Sequence, residues 1–96
     1  MKIQFSSAVK EKLLIKHSVT EKEVLECFVN RDGNYLMDIR EQHRTTPPTL
    51  WFIAQTNWGR MLKVCFIPPH QGHPAQLKSA FEPNDIEKRI YSSKQA

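Results

Sequence analysis

The sequence predicts an α+β fold, and three observations carry that prediction. The chain opens on a short alternating stretch. Two segments with apolar residues at helical spacing follow it. From Tyr35 onward the apolar residues recur at strand spacing, until a last helical segment near the end. The expected order is β-α-α-β-β-β-β-α, with two helices on one face of a mainly antiparallel sheet.

In "KIQFS", Ile3 and Phe5 alternate with polar neighbours, as in a short strand. "SSAVKEKLLIKH" changes period, so that Val9, Leu13 and Leu14 share a helical face, with Ser6 or Ser7 available as N-cap. "SVTEKEVLECFV" is a stronger helix signal. Thr20 and Glu23 stand at capping-box spacing, and Val19 and Val24 at the positions of a hydrophobic staple. Leu25 and Phe28 continue the apolar stripe, and "NRDGN" ends it. "YLMDIR" alternates again, placing Tyr35, Met37 and Ile39 on one side. "TLWFIAQT" and "RMLKVCFI" read as strands joined by "NWG", where Gly59 supplies a positive φ. "PPHQGHP" is a loop by composition, and "AQLKSAF" a further strand. "EPNDIEKRIY" restarts a helix at Pro83 or Asn84, with Glu87 three residues after Asn84 and Ile86 and Ile90 one turn apart.

Ninety-six residues make one domain, 1–96, near the lower limit for a self-sufficient core. The apolar fraction of 40% and charged fraction of 25% are those of an ordinary soluble globule. No apolar run approaches the ~20 residues that span a bilayer, and the first residues lack the apolar core of a signal peptide. Cys27 and Cys65 are expected as buried thiols in a reducing compartment, which places the protein in the cytoplasm, away from membranes. The net charge of +4 leans weakly toward a polyanionic partner.

The densest chemistry lies in "DIREQHR", Asp38 to Arg44. If the strand at Tyr35 continues to His43, Glu41 and His43 emerge at the rim of the core on its helix-covered side. Arg40 and Arg44 then point to the other side. A carboxylate beside an imidazole suits proton transfer near neutral pH, and guanidiniums suit bidentate phosphate binding. The plainer reading makes these residues solvated cross-strand ion pairs. Pro47 and Pro48 should end the pairing. Lys16 and His17 close the first helix, where cations suit the negative end of its dipole. Arg60 and Lys63 lie on one strand, Arg60 just past the turn. His70 and His73 form an H-x-x-H pair without cysteines or carboxylates beside it, so no metal site and no cofactor is expected. Trp51 reads as core and Trp58, at a hairpin tip, as a contact residue. No glycine-rich phosphate loop, G-x-S-x-G, H-E-x-x-H or C-x-x-C occurs.

"KHSVTEKEVLECF", "TNWGRMLKVCFI" and "LKSAFEPNDIEKRIY" together resemble the landmarks of the BrnT-type toxins, small bacterial proteins with a RelE-like fold. The matching positions are Lys16, His17, Val19 and Phe28; Gly59, Arg60, Leu62 and Val64; and Ser79, Ala80, Glu87 and Tyr91. The resemblance implies a ribonuclease toxin of a type II toxin–antitoxin pair, with RNA as substrate and a small antitoxin as partner. The implied assembly is a homo-oligomer or a heteromeric toxin–antitoxin complex. The family pattern has Arg directly after Ser-Ala, where this chain has Phe81. Either Arg40, Arg44 or Lys78 compensates, or the activity has changed.

The reaction this implies is metal-independent RNA cleavage by attack of a 2′-hydroxyl on its neighbouring phosphate. Glu41 and His43 are the candidate acid/base pair, and Arg44, Arg60 and Lys78 the candidate stabilisers of phosphorane charge. Lys16, Arg40, Lys63 and Tyr91 are the candidate substrate contacts. The alternatives are a non-catalytic module that binds RNA or protein, and a small hydrolase acting on a nucleotide or ADP-ribose derivative.

Overall fold

In the computed structural model, which describes residues 2–40 and 45–95, the elements run β1 (Ile3–Gln4), α1 (Ser7–His17), α2 (Glu21–Asn30), β2 (Leu36–Met37), β3 (Leu50–Gln55), β4 (Met61–Ile67), β5 (Ala75–Phe81) and α3 (Asp85–Ser93). The strands form one sheet in the order β1-β5-β4-β3-β2. β2 through β5 pair antiparallel, whereas β1 lies parallel to β5, so the sheet is mixed.

Local signals set the helices. Ser6 accepts from the Val9 amide to start α1. The Thr20–Glu23 capping box starts α2 and the Asn84–Glu87 box starts α3, each with both of its reciprocal hydrogen bonds. Val19 and Val24 are buried together, as a staple requires. Gly59 takes φ +85° in the β3–β4 turn, and Trp58 at its tip is exposed.

Strand alternation gives the sheet two unlike faces. Phe52, Leu62, Val64, Phe66, Leu77 and Ala80 point toward α1 and α2. There Phe28 of α2 meets Phe52 and Phe66 edge-on at 4.9 and 5.1 Å between ring centroids, and Tyr35 meets the same two rings. Trp51, Ile53, Lys63, Cys65 and Phe81 point the other way, where α3 lies. Tyr91 of α3 packs its ring 5.6 Å from that of Trp51, and its hydroxyl donates to the Asn34 carbonyl at 2.9 Å. A Cβ on Gly33 would clash with that hydroxyl, so a glycine here lets the last helix sit down.

Several expectations are corrected. β2 ends at Met37 instead of running toward His43, and Met37 and Ile39 are exposed rather than core. The pairing outlasts the strand by one bond, from the Asp38 amide to the Thr49 carbonyl at 2.8 Å. Leu14, Leu25, Ile86 and Ile90 are also exposed, because each helix buries a narrower stripe than its apolar residues suggested. Leu13, Cys27 and Tyr91 fill those stripes. "PPHQGHP" holds a tight hairpin, with His70 and His73 bridged across a two-residue turn. Both cysteines are buried and free. Loss of hydration pushes the Cys27 thiol up to about 12 and the Cys65 thiol up to about 11, which keeps both uncharged. Among the described residues no helix is long and apolar enough to cross a membrane.

Candidate functional site

The α3 face carries the richer chemistry because one helix cannot cover it. Between α3, the sheet and the segment that follows β2 lies an open groove of about 520 Å³. Its floor is Trp51 and Lys63, its walls Leu36, Ile39 and Ile90, and its rim Arg40, Glu87 and Lys94.

Lys63 is the unusual member. It occupies the middle of the central strand β4, and its side chain is only 8% exposed. An ammonium held there needs compensation. Glu87 supplies it at 2.8 Å, while the Trp51 ring face lies 4.4 Å away and the Phe81 ring 5.7 Å. Glu87 does two jobs, since its other oxygen accepts the Asn84 amide in the α3 capping box. Desolvation pushes its carboxyl up, but the hydrogen bonds from Lys63 and Asn84 outweigh that and hold it below the ordinary carboxylate value. The Lys63–Glu87 ion pair therefore fastens α3 to the sheet.

On the rim, Arg40 grips Asp38 through two hydrogen bonds, Nε at 3.1 Å and a terminal nitrogen at 2.9 Å. The Asp38 side chain is 7% exposed, so the fork fixes the direction in which the chain leaves β2. Thr45 marks the return, its hydroxyl donating to the Pro47 carbonyl at 2.7 Å and lying 3.0 Å from that of Thr49. Glu41, His43 and Arg44, the candidate acid, base and phosphate ligand, lie outside the described residues. Their flanks, Arg40 and Thr45, are both tied to the sheet's β2 side.

The other nominated residues separate into four places. Arg40 and Lys63 share the groove, and Tyr91 lies against its floor through Trp51. Arg60 sits at the β3–β4 turn with its guanidinium fully engaged. It donates to Glu23 at 3.1 Å, Glu82 at 3.1 Å, and the carbonyls of His17 and Ser18 at 3.0 and 2.8 Å. One side chain thereby fastens the α1–α2 connection to β4 and to the residue after β5. Burial raises the Glu23 carboxyl, but the Thr20 amide and Arg60 more than reverse this and hold it low. Lys78 is exposed at the irregularity in β5, beside Gln4, Ser6 and Gln76 at the sheet's opposite edge. Lys16 is exposed on α1.

Sequence reasoning did not nominate Asp38 or Glu87 for this site, and read Trp51 as core over a base-stacking role. The signal for Glu87 was present, because a lysine inside "MLKVCFI" requires a counter-charge from another element. Chemically, the described groove offers apolar walls, one aromatic ring, and an arginine and a lysine already bound to carboxylates. It suits binding and positioning. No protein-family model matches the chain, and no curated protein matches it.

Proposed function

We propose that this chain is the toxin of a type II toxin–antitoxin pair, a ribonuclease that works beside the α3-side groove and is neutralised by a small antitoxin. The observation that carries this reading is the placement of Arg40 at the rim of a groove that also holds Trp51 and Lys63. The candidate acid, base and second guanidinium, Glu41, His43 and Arg44, follow Arg40 directly in the sequence. The ordered likeness to the BrnT-type landmarks, including Arg60 and Tyr91, and the β-α-α-β-β-β-β-α order agree with it.

In the proposed reaction, one member of the Glu41–His43 pair takes the proton of an RNA 2′-hydroxyl. The freed oxygen attacks the adjacent phosphorus. The other member donates a proton to the departing 5′-oxygen, leaving a cyclic phosphate and a 5′-hydroxyl. Arg44 stabilises charge on the phosphorane oxygens, Arg40 and Lys63 hold flanking phosphates, and Trp51 borders the bound strand. To do so, Arg40 and Lys63 must exchange part of their carboxylate contacts for phosphate.

The test is induction of the wild type and of a His43→Ala/Arg44→Ala variant from a tightly repressed promoter, with colony counts over time and analysis of RNA 3′ ends by purified protein. Arrest and cyclic phosphate ends from the wild type alone are expected. Arrest by both chains would move the active site elsewhere, and harmless, non-cleaving protein in both cases would defeat the ribonuclease reading. A second reading, a non-catalytic binding module, is favoured by the groove's apolar walls and prior pairing of its cations. It predicts salt-sensitive RNA binding without strand scission.

A further inference from the structure

We propose that the hairpin at 70–73 is a binding site for a divalent transition-metal ion of the imidazole-preferring class (zinc, copper or nickel), with His70 and His73 as its two protein ligands. The turn between them makes the site. Gln71 and Gly72 both take positive φ, at 46° and 79°, which is the two-residue type I′ geometry that best matches strand twist. His70 and His73 exchange both backbone hydrogen bonds, at 3.2 and 2.7 Å, so they are directly opposed. Opposed residues of an antiparallel pair present their side chains on the same face.

The rings are accordingly neighbours, with centroids 5.6 Å apart and planes inclined at 42°. An ion ~2.0–2.1 Å from one nitrogen of each ring, at a tetrahedral angle, places two imidazole centroids about 5 Å apart. The observed pair is therefore close to chelating geometry without backbone movement. The tautomer fits as well. His70 Nδ1 lies 3.2 Å from the Pro68 carbonyl. A carbonyl can only accept, so this contact favours a proton on Nδ1 and, in the neutral ring, leaves Nε2 free to ligate. A ligating histidine held by a backbone carbonyl through its other nitrogen is the usual outer-shell arrangement of metal sites.

Among the described residues no three His, Cys, Asp or Glu side chains converge on one ion, so this site has two protein ligands and its remaining positions go to water or an incoming ligand. Lys2 lines the same hollow, together with Pro69 and Pro74. Its charge opposes a cation, but the side chain is exposed and free to turn outward. The site is remote in function from the groove, and no step of the proposed cleavage uses it.

Titration of the full chain with Zn2+, followed by calorimetry and by imidazole 15N shifts, tests the assignment. One ion per chain is expected, with His70 and His73 shifting and His17, packed on Phe81, unmoved. His70→Ala and His73→Ala should each weaken binding about tenfold or more. Gly72→Val keeps both imidazoles, and nothing lies within 4 Å of the added carbon, so any loss reflects the turn alone. It should also weaken binding, while Lys2→Ala should tighten it. Unchanged affinity in either alanine variant or in Gly72→Val overturns the proposal. So do shifts at His17 equal to those of the pair, or weaker binding after Lys2→Ala, which would mark the hollow as an anion site.

Discussion

The two faces of the sheet share strands but obey different rules. Toward α1 and α2 every inward position of β3, β4 and β5 is apolar. Four aromatic rings, Phe28, Tyr35, Phe52 and Phe66, close the layer, with the Arg31 guanidinium stacked 4.0 Å from the Tyr35 ring centroid. Toward α3 the same strands present Trp51, Lys63 and Cys65, and the single helix above them is fixed by an ion pair, one ring contact and a tyrosine hydroxyl. A face covered by two helices can be sealed with hydrocarbon. A face covered by one leaves a groove, and the polar groups needed to hold that helix become the lining of the groove. Stability and chemistry are therefore assigned to opposite sides of one five-stranded sheet.

The sharpest break of this contrast is Phe66→Ala. It removes a fully buried ring from the sealed face and should cost about 3–5 kcal/mol in denaturant unfolding. A loss below ~1 kcal/mol would mean that the aromatic layer collapses around the gap, and that the two faces are less different than they look. Next, Glu87→Ala leaves the Lys63 ammonium buried without its partner and should cost about 2–4 kcal/mol, whereas Lys63→Met with Glu87→Leu should be near neutral. That pair of results would establish that the α3 face holds a charge for reasons other than stability.

The same residue gives the fold a pH signature. A carboxyl whose folded value lies below the ordinary 4.5 adds stability above that value and loses it as the pH falls through the folded one. Glu87 and Glu23 are both of this kind. Wild type should therefore weaken from about pH 5 downward, and Glu87→Gln should flatten that decline. A parallel decline in the variant would transfer the effect to other carboxyls. The smallest effect expected is at the surface. Thr20→Ala should cost about 1 kcal/mol through its cap. Breaking the half-exposed Lys10–Glu21 pair should stay within about 0.5 kcal/mol.

What the sequence made legible was local. The Thr20–Glu23 and Asn84–Glu87 boxes, the Gly59 turn and the span of β5 depend on neighbours in the chain, and each is where its residues indicate. Burial depends on what lies opposite. Ile86 and Ile90 stand at helical spacing, yet α3 rests on the sheet through Tyr91, so the isoleucines border the groove or solvent. The hairpin at His70 was hidden for a related reason. Gln-Gly is a weaker turn signal than Asn-Gly, and the prolines on either side mimic an irregular loop. In the candidate site, Arg60 had the right charge in the right strand, but only the fold shows its guanidinium spent on two carboxylates and two carbonyls. Arg40 and Lys63, by contrast, do meet across one groove.

The parallel pairing of β1 with β5 has a consequence for how the chain comes together. Ile3 and Gln4 find their partners only at Ala75 and Gln76, most of the chain later. Contacts of such separation are slow to form because the intervening loop must first be closed. β1 therefore cannot pair within the sheet until the chain as far as β5 is in place, whereas the helices and the β3–β4 hairpin need only nearer neighbours.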